Sequence, residues 1–194
     1  DQLADLVNDT VAGGGVMLIP SFAVGRAQTM QYLLTRLMLE ERIPRMKVFL
    51  DSPMAIDVSG IYARFADQHK LSHGDFQQMN QAITYTRSVE HSQALADEVY
   101  PHIIIAGSGM VTGGRILHHM RRLLSDHRTT LLLTGFQVGG TRGAKLYQGA
   151  DAVKIHGDWI PNRARIEMLH GLSGHADYVE LQQWLAASAL APDT

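Results

Sequence analysis

The chain contains no cysteine. Disulfides and thiolate zinc sites are therefore excluded, and the composition fits the reducing cytoplasm. No apolar run approaches the roughly 18 residues that a membrane-spanning helix requires, so no membrane partner is expected. No signal-peptide pattern opens the chain. Its first residues, Asp1-Gln2-Leu3, include no initiator methionine, and it is read as a piece of a longer protein. A dominant charge is missing too. The net value of −2 says nothing by itself for nucleic acid.

What is present suffices for one domain: 194 residues, 45% of them hydrophobic, can bury a substantial core. The charge is unevenly spread. Between Met110 and His170 nine Lys and Arg stand against four Asp and Glu, and five of the ten histidines lie there. Two readings stay open for this segment, a solvated mixed surface or an anion-binding face.

Leu3, Leu6, Val7, Thr10 and Val11 recur at helical spacing until Gly13-Gly14-Gly15 stops the helix. Val16-Met17-Leu18-Ile19 reads as a strand buried on both faces, and a loop over 21–26 leads into a helix over 27–40. The unit recurs: a strand at Lys47-Val48-Phe49-Leu50, a turn, and a helix over 54–65. Residues 66–88 show no clean period and read as loop with short helix, followed by a helix over 92–100. His102-Ile103-Ile104-Ile105-Ala106 is the clearest buried strand, a glycine-rich turn and a helix over 115–124 follow, and Thr130 to Thr134 form another strand. After Asp151 the pattern changes to short strands around 153–155, 159–160 and 164–169. The expected fold class is α/β, a mainly parallel sheet with helices on both faces and short β-strands near the C-terminus. In such sheets ligands sit outside the carboxyl ends of strands. The loops after Ile19, Leu50, Ala106 and Thr134 should therefore share one edge.

Familiar catalytic signatures are absent from those loops. Gly107 to Gly114 lacks the Lys-Ser/Thr ending of a P-loop and the glycine spacing of a dinucleotide fingerprint. A tight strand-to-helix turn accounts for its glycines, although the amides of a helix start can still hold a phosphate. Gly107-Ser108-Gly109 lacks the spacing of a nucleophile elbow, which weakens a serine hydrolase built on Ser108. His118 and His119 lack the i, i+4 spacing of a helical metal pair, and at least one is expected at the surface or in a cap. Asp51 is either a carboxylate catalyst or the cap of the following helix, with the cap favoured. Arg26 and Arg142 follow strands within glycine-bearing loops, where either could grip a phosphate. Gly171-Leu172-Ser173-Gly174-His175-Ala176-Asp177 sets a histidine among small residues just ahead of an amphipathic helix. In that helix Val179, Leu181, Trp184 and Leu185 share roughly one face.

Five ordered blocks carry a resemblance. They are Ile19 to Gln28; Leu50-Asp51-Ser52-Pro53-Met54-Ala55; Ser108-Gly109-Met110 with Gly113-Gly114-Arg115; Gly135-Phe136-Gln137 with Gly140-Thr141-Arg142-Gly143; and Ser173-Gly174-His175-Ala176-Asp177. Across nearly the whole chain this series resembles the β-CASP region of metallo-β-lactamase superfamily nucleases. Relatives include the messenger-RNA 3′-end-processing endonuclease and bacterial and archaeal RNA-cleaving homologues. The resemblance implies a Rossmann-like β-CASP domain over residues 1–194, capping a metallo-β-lactamase domain with an RNA channel between them. It implies two zinc ions held by a His-x-His-x-Asp-His motif and further ligands, none of which occurs in this chain. The family's acidic β-CASP motif would precede Asp1, and its last histidine ligand would follow Thr194.

By the same resemblance Ser173 and His175 grip the scissile phosphate and assist its cleavage. Ser108 and Gly109, with Arg26 and Arg142, complete the expected substrate-binding set. The expected partners are RNA and the missing metallo-β-lactamase domain, and a homo-oligomer stays open. Zn2+ belongs to the full-length enzyme, and the chain alone is expected to fold without binding zinc or cleaving RNA. The competing reading is a non-catalytic nucleic-acid- or nucleotide-binding α/β module.

Overall fold

The computed structural model describes residues 2–188. Helix α1 (Gln2–Ala12) buries Leu3, Leu6, Val7 and Thr10, and the glycines after it turn the chain into strand β1 (Val16–Pro20). The turn leaves no room for a side chain: a Cβ on Gly15 would lie 1.8 Å from the Arg128 carbonyl oxygen. That atom is backbone and cannot swing aside. Gly15→Ala is therefore expected to cost at least about 1–3 kcal/mol, read as a lowered urea midpoint.

Strand–loop–helix units follow. Helix α2 (Arg26–Leu39) leads to β2 (Lys47–Asp51), then α3 (Pro53–Arg64). Next come α4 (His73–Ala82), β3 (Ile83–Tyr85), α5 (Val89–Ala94), β4 (His102–Ala106), α6 (Ile116–Leu123) and β5 (Thr130–Leu133). The chain continues through α7 (Arg142–Tyr147), β6 (Ala152–Ile155), β7 (Asp158–Pro161), β8 (Arg165–Met168) and α8 (Tyr178–Ala186). Six strands form one sheet in the order β3-β2-β4-β1-β5-β8, and every pairing in it is parallel. Strands β6 and β7 form a separate antiparallel ribbon.

Strict alternation along the central strands divides the core. Met17, Ile19, Val48, Leu50, Ile103 and Ile105 point to the face covered by α1, α2 and α3. Val16, Leu18, Phe49, Ile104, Leu131 and Leu133 point to the face covered by α6 and the β6–β7 ribbon. Every residue of β1, β4 and β5 is buried, as expected of parallel strands covered on both sides. At about 1.5–3 kcal/mol per large apolar side chain, this burial is the main source of stability. Among the described residues no helix is long and apolar enough to cross a membrane.

Two sequence expectations need correction. Residues 66–88 are not mainly loop: they hold α4 and the edge strand β3. The missed signal was a capping box in which Ser72 accepts from the Asp75 amide and Asp75 accepts from that of Ser72. The helix placed over 92–100 starts earlier and ends sooner, because Ser88 caps α5. The last short strand, β8, belongs to the main sheet, where it pairs with β5 from Thr130↔Arg165 to Leu133↔Met168.

Candidate functional site

Parallel pairing brings the carboxyl ends of β1, β2, β4, β5 and β8 to one edge, so the loops that follow these strands gather there. The addition of β8 decides where the histidine segment goes. The Leu169 amide donates to the Leu133 carbonyl at 2.8 Å, and the chain leaves the sheet beside the loop after β5. Leu172 then packs on the α1–α2 face of the core. Arg26, at the start of α2, donates through Nη2 to the Leu172 carbonyl at 2.5 Å. Partial burial lowers the pKa of this guanidinium. One residue further on, Ser173 Oγ accepts the His175 amide at 3.2 Å. Asp177 closes the segment by capping α8, accepting from the amides of Val179 and Glu180. The turn is thus held at both ends while the Ser173 and His175 side chains stand exposed.

The glycine-rich turn after β4 lies along the same edge. Ser108 Oγ and Thr112 Oγ1 are 3.0 Å apart, and the Thr112 amide donates to the Ser108 hydroxyl. No imidazole hydrogen-bonds Ser108 among the described residues, which leaves a serine nucleophile without a base. Gly109 is buried against Phe22 of the loop after β1, where a Cβ would sit 2.6 Å from the ring. Its carbonyl accepts from Gln137 Nε2 at 3.1 Å, so the loops after β1, β4 and β5 brace one another. Arg142 donates through Nε to the Lys154 carbonyl at 2.6 Å and through Nη1 to the carbonyls of Val111 and Thr112. Both arginines expected to face a phosphate therefore also have carbonyl partners: Arg26 secures the histidine segment, and Arg142 secures the glycine turn. The edge brings Arg26 to the Ser173 segment and Gly109 to Phe22 and Gln137, while Ser108 bonds within its own turn.

Behind this edge lies a buried polar cluster that the sequence reading missed. Asp51 does not cap α3; Ser52 does, accepting from the Ala55 amide. Fully buried, Asp51 accepts from Ser92 Oγ at 2.5 Å, Arg115 Nη1 at 2.7 Å and His119 Nε2 at 2.7 Å. Arg115 also donates to the carbonyls of Thr86 and Arg87. Burial pushes the Asp51 pKa up, but the hydrogen bonds from His119, Ser92 and Arg115 outweigh it and hold the carboxyl below its ordinary value. The available signal was an acidic residue directly after the apolar run Val48-Phe49-Leu50, since a buried charge needs partners.

The described residues do not fit a zinc site, for no three His, Asp or Glu side chains converge to hold a metal. What the edge offers is an exposed imidazole and hydroxyl on a braced turn, suited to donating hydrogen bonds to an anion. A parallel α/β sheet flanked by helices defines the class, a Rossmann-like domain.

The Beta-Casp domain model matches residues 27–146, and the Zn-dependent metallo-hydrolase RNA specificity domain matches residues 159–192. The chain belongs to the β-CASP family within the metallo-hydrolase-fold RNA nucleases. It is 38% identical over 190 residues to a ribonuclease of Thermus thermophilus, a match covering 95% of this chain and 44% of that protein. Transcription termination factor FttA of Methanosarcina mazei is 27% identical over 204 residues, or 99% of this chain and 32% of the relative. An RNase J-like protein of Methanocaldococcus jannaschii is 27% identical over 184 residues, or 95% and 43%. The chain thus spans less than half the length of each of these curated relatives.

Proposed function

We propose that the chain is the β-CASP part of a zinc-dependent ribonuclease of the cytoplasm. In this reading it caps the RNA path and holds the scissile phosphate, while zinc is bound by a metallo-β-lactamase domain outside these residues. The exposed Ser173–His175 turn, anchored by Arg26 at the carboxyl edge of the sheet, carries the proposal. Because Ser173 Oγ accepts from the His175 amide, its hydroxyl proton remains free to donate to a phosphate oxygen. The His175 imidazole donates to a second non-bridging oxygen. Both bonds strengthen as negative charge builds on the phosphate during cleavage, so they favour the transition state over the bound substrate. Arg26 acts first through Leu172, keeping the turn in place, and a guanidinium has further N–H donors to offer the anion. Ser108 and Gly109 support the neighbouring stretch of backbone, and Arg142 keeps their turn closed.

The sole observation favouring the non-catalytic nucleic-acid- or nucleotide-binding module is that no metal-holding group occurs among the described residues. The two readings separate by comparing the chain with a longer version that includes a metallo-β-lactamase domain. Elemental analysis after dialysis and an RNA-cleavage assay, with and without added zinc, should find zinc and cleavage in the longer protein only. Tight stoichiometric zinc or cleavage in the chain alone would overturn the division of labour. A longer protein that binds RNA but never cleaves it would favour the module.

A further inference from the structure

A cleft of about 430 Å³ opens between α5 and α6. It lies on the sheet face opposite the one on which Leu172 packs, since α6 packs with the α7 and β6–β7 side of the core. Ser92 and Gln93 contribute from α5, and Arg115, His118, Arg121 and Arg122 from the α6 side. Its floor is the Asp51 cluster, which fixes Ser92 and Arg115 through bonds of 2.5 and 2.7 Å. Its wall is exposed and cationic. Arg121 pairs with Asp158 at 2.6 Å, whereas Arg122 has no carboxylate partner among the described residues. The His118 ring meets that of His156 with centroids 4.6 Å apart. The proposed ribonuclease chemistry uses none of these side chains.

We propose that this cleft is a second anion site that takes a phosphate group, either from the backbone of a single RNA strand or from a free nucleotide or polyphosphate. Arg122 supplies an uncompensated charge and a planar fork of N–H donors suited to phosphate oxygens. His118 adds a donor when protonated, and Gln93 a neutral amide. Arg115, neutralised by Asp51, positions the floor rather than binding. The volume falls within the range of about 300–1,000 Å³ typical of small-ligand sites, and exceeds what one phosphate needs. It therefore suits a nucleotide-sized unit or a short run of backbone. Burial, then the neighbouring His156, His119 and Arg121, hold His118 below its ordinary pKa. An anion seated here would relieve the cationic part of that effect. The inference does not depend on the cleavage reading, because the cleft uses no side chain of the Ser173–His175 turn.

Histidine side-chain NMR of the chain at low salt tests it, titrating in pyrophosphate and, separately, a short single-stranded oligonucleotide. The His118 and His156 resonances should move, the titration midpoint of His118 should rise at saturation, and Arg122→Glu should weaken binding by on the order of tenfold or more. Shifts with the oligonucleotide alone identify backbone as the ligand; competition by pyrophosphate identifies a free phosphate compound. Shifts confined to His175, no response at His118 to either probe, or an Arg122→Glu variant that titrates like the parent would overturn the proposal. Arg122 is exposed, so its replacement should leave the fold intact, and the unfolding midpoint checks this.

Discussion

Asp51→Ala is expected to destabilise the chain by about 3–5 kcal/mol, because breaking a buried ion pair strands the remaining charge. Asp51 is the point where β2, α5 and α6 are tied together. Its carboxylate receives Ser92, His119 and Arg115, and Arg115 in turn holds the strand-end carbonyls of Thr86 and Arg87. Against a typical total stability of about 5–15 kcal/mol, such a loss threatens the fold itself. Asp51→Asn keeps the shape and one acceptor oxygen, so its loss should be smaller. Urea unfolding of both variants measures this, and a loss below about 1 kcal/mol for Asp51→Ala would show the cluster to be uncoupled from folding. The same carboxylate makes stability depend on acid. Its folded pKa lies below the ordinary aspartate value. Its contribution is therefore complete above that ordinary value and is lost as pH falls through the depressed one. Stability should decline below about pH 4 in the parent, and the decline should be shallower in Asp51→Asn.

His175→Ala, made in the longer protein, is expected to lower RNA cleavage by about a hundred- to a thousandfold. Loss of one positioned donor to a developing oxyanion costs about 2.7–4 kcal/mol. Zinc content should stay nearly constant, since the proposed role is contact with the phosphate and not with metal. An equal loss of zinc would make His175 a metal ligand and refute the assignment. The structure supplies an internal control. The imidazole is exposed and only the His175 amide bonds Ser173, so the substitution should change stability by less than about 0.5 kcal/mol. A variant that is slow because it is unfolded would thus be recognised at once.

The long strand signals were legible because burial on both sheet faces leaves continuous apolar runs such as Ile103 to Ala106. The repeated strand–loop–helix order sufficed for the parallel sheet and its shared edge. Strand β3 was not legible: three residues, Ile83 to Tyr85, are too few to show a period, and only pairing with β2 makes them a strand. Helix α8 shows the reverse case. Its apolar residues were legible, and in the structure Val179, Leu181, Trp184 and Leu185 are all exposed.

The sequence by itself determined the α/β class, the order of its units and the β-CASP family, since hydrophobic periodicity and ordered motifs are local properties of the chain. Tertiary structure alone decided the long-range partners of the buried and half-buried polar side chains. Arg26 lies 146 residues from the carbonyl it holds at Leu172, and Asp51 lies 64 and 68 residues from Arg115 and His119. Such partnerships depend on which strand ends meet in space. They form because a charge buried by the packing of the sheet must find its hydrogen bonds among whatever side chains the fold brings there.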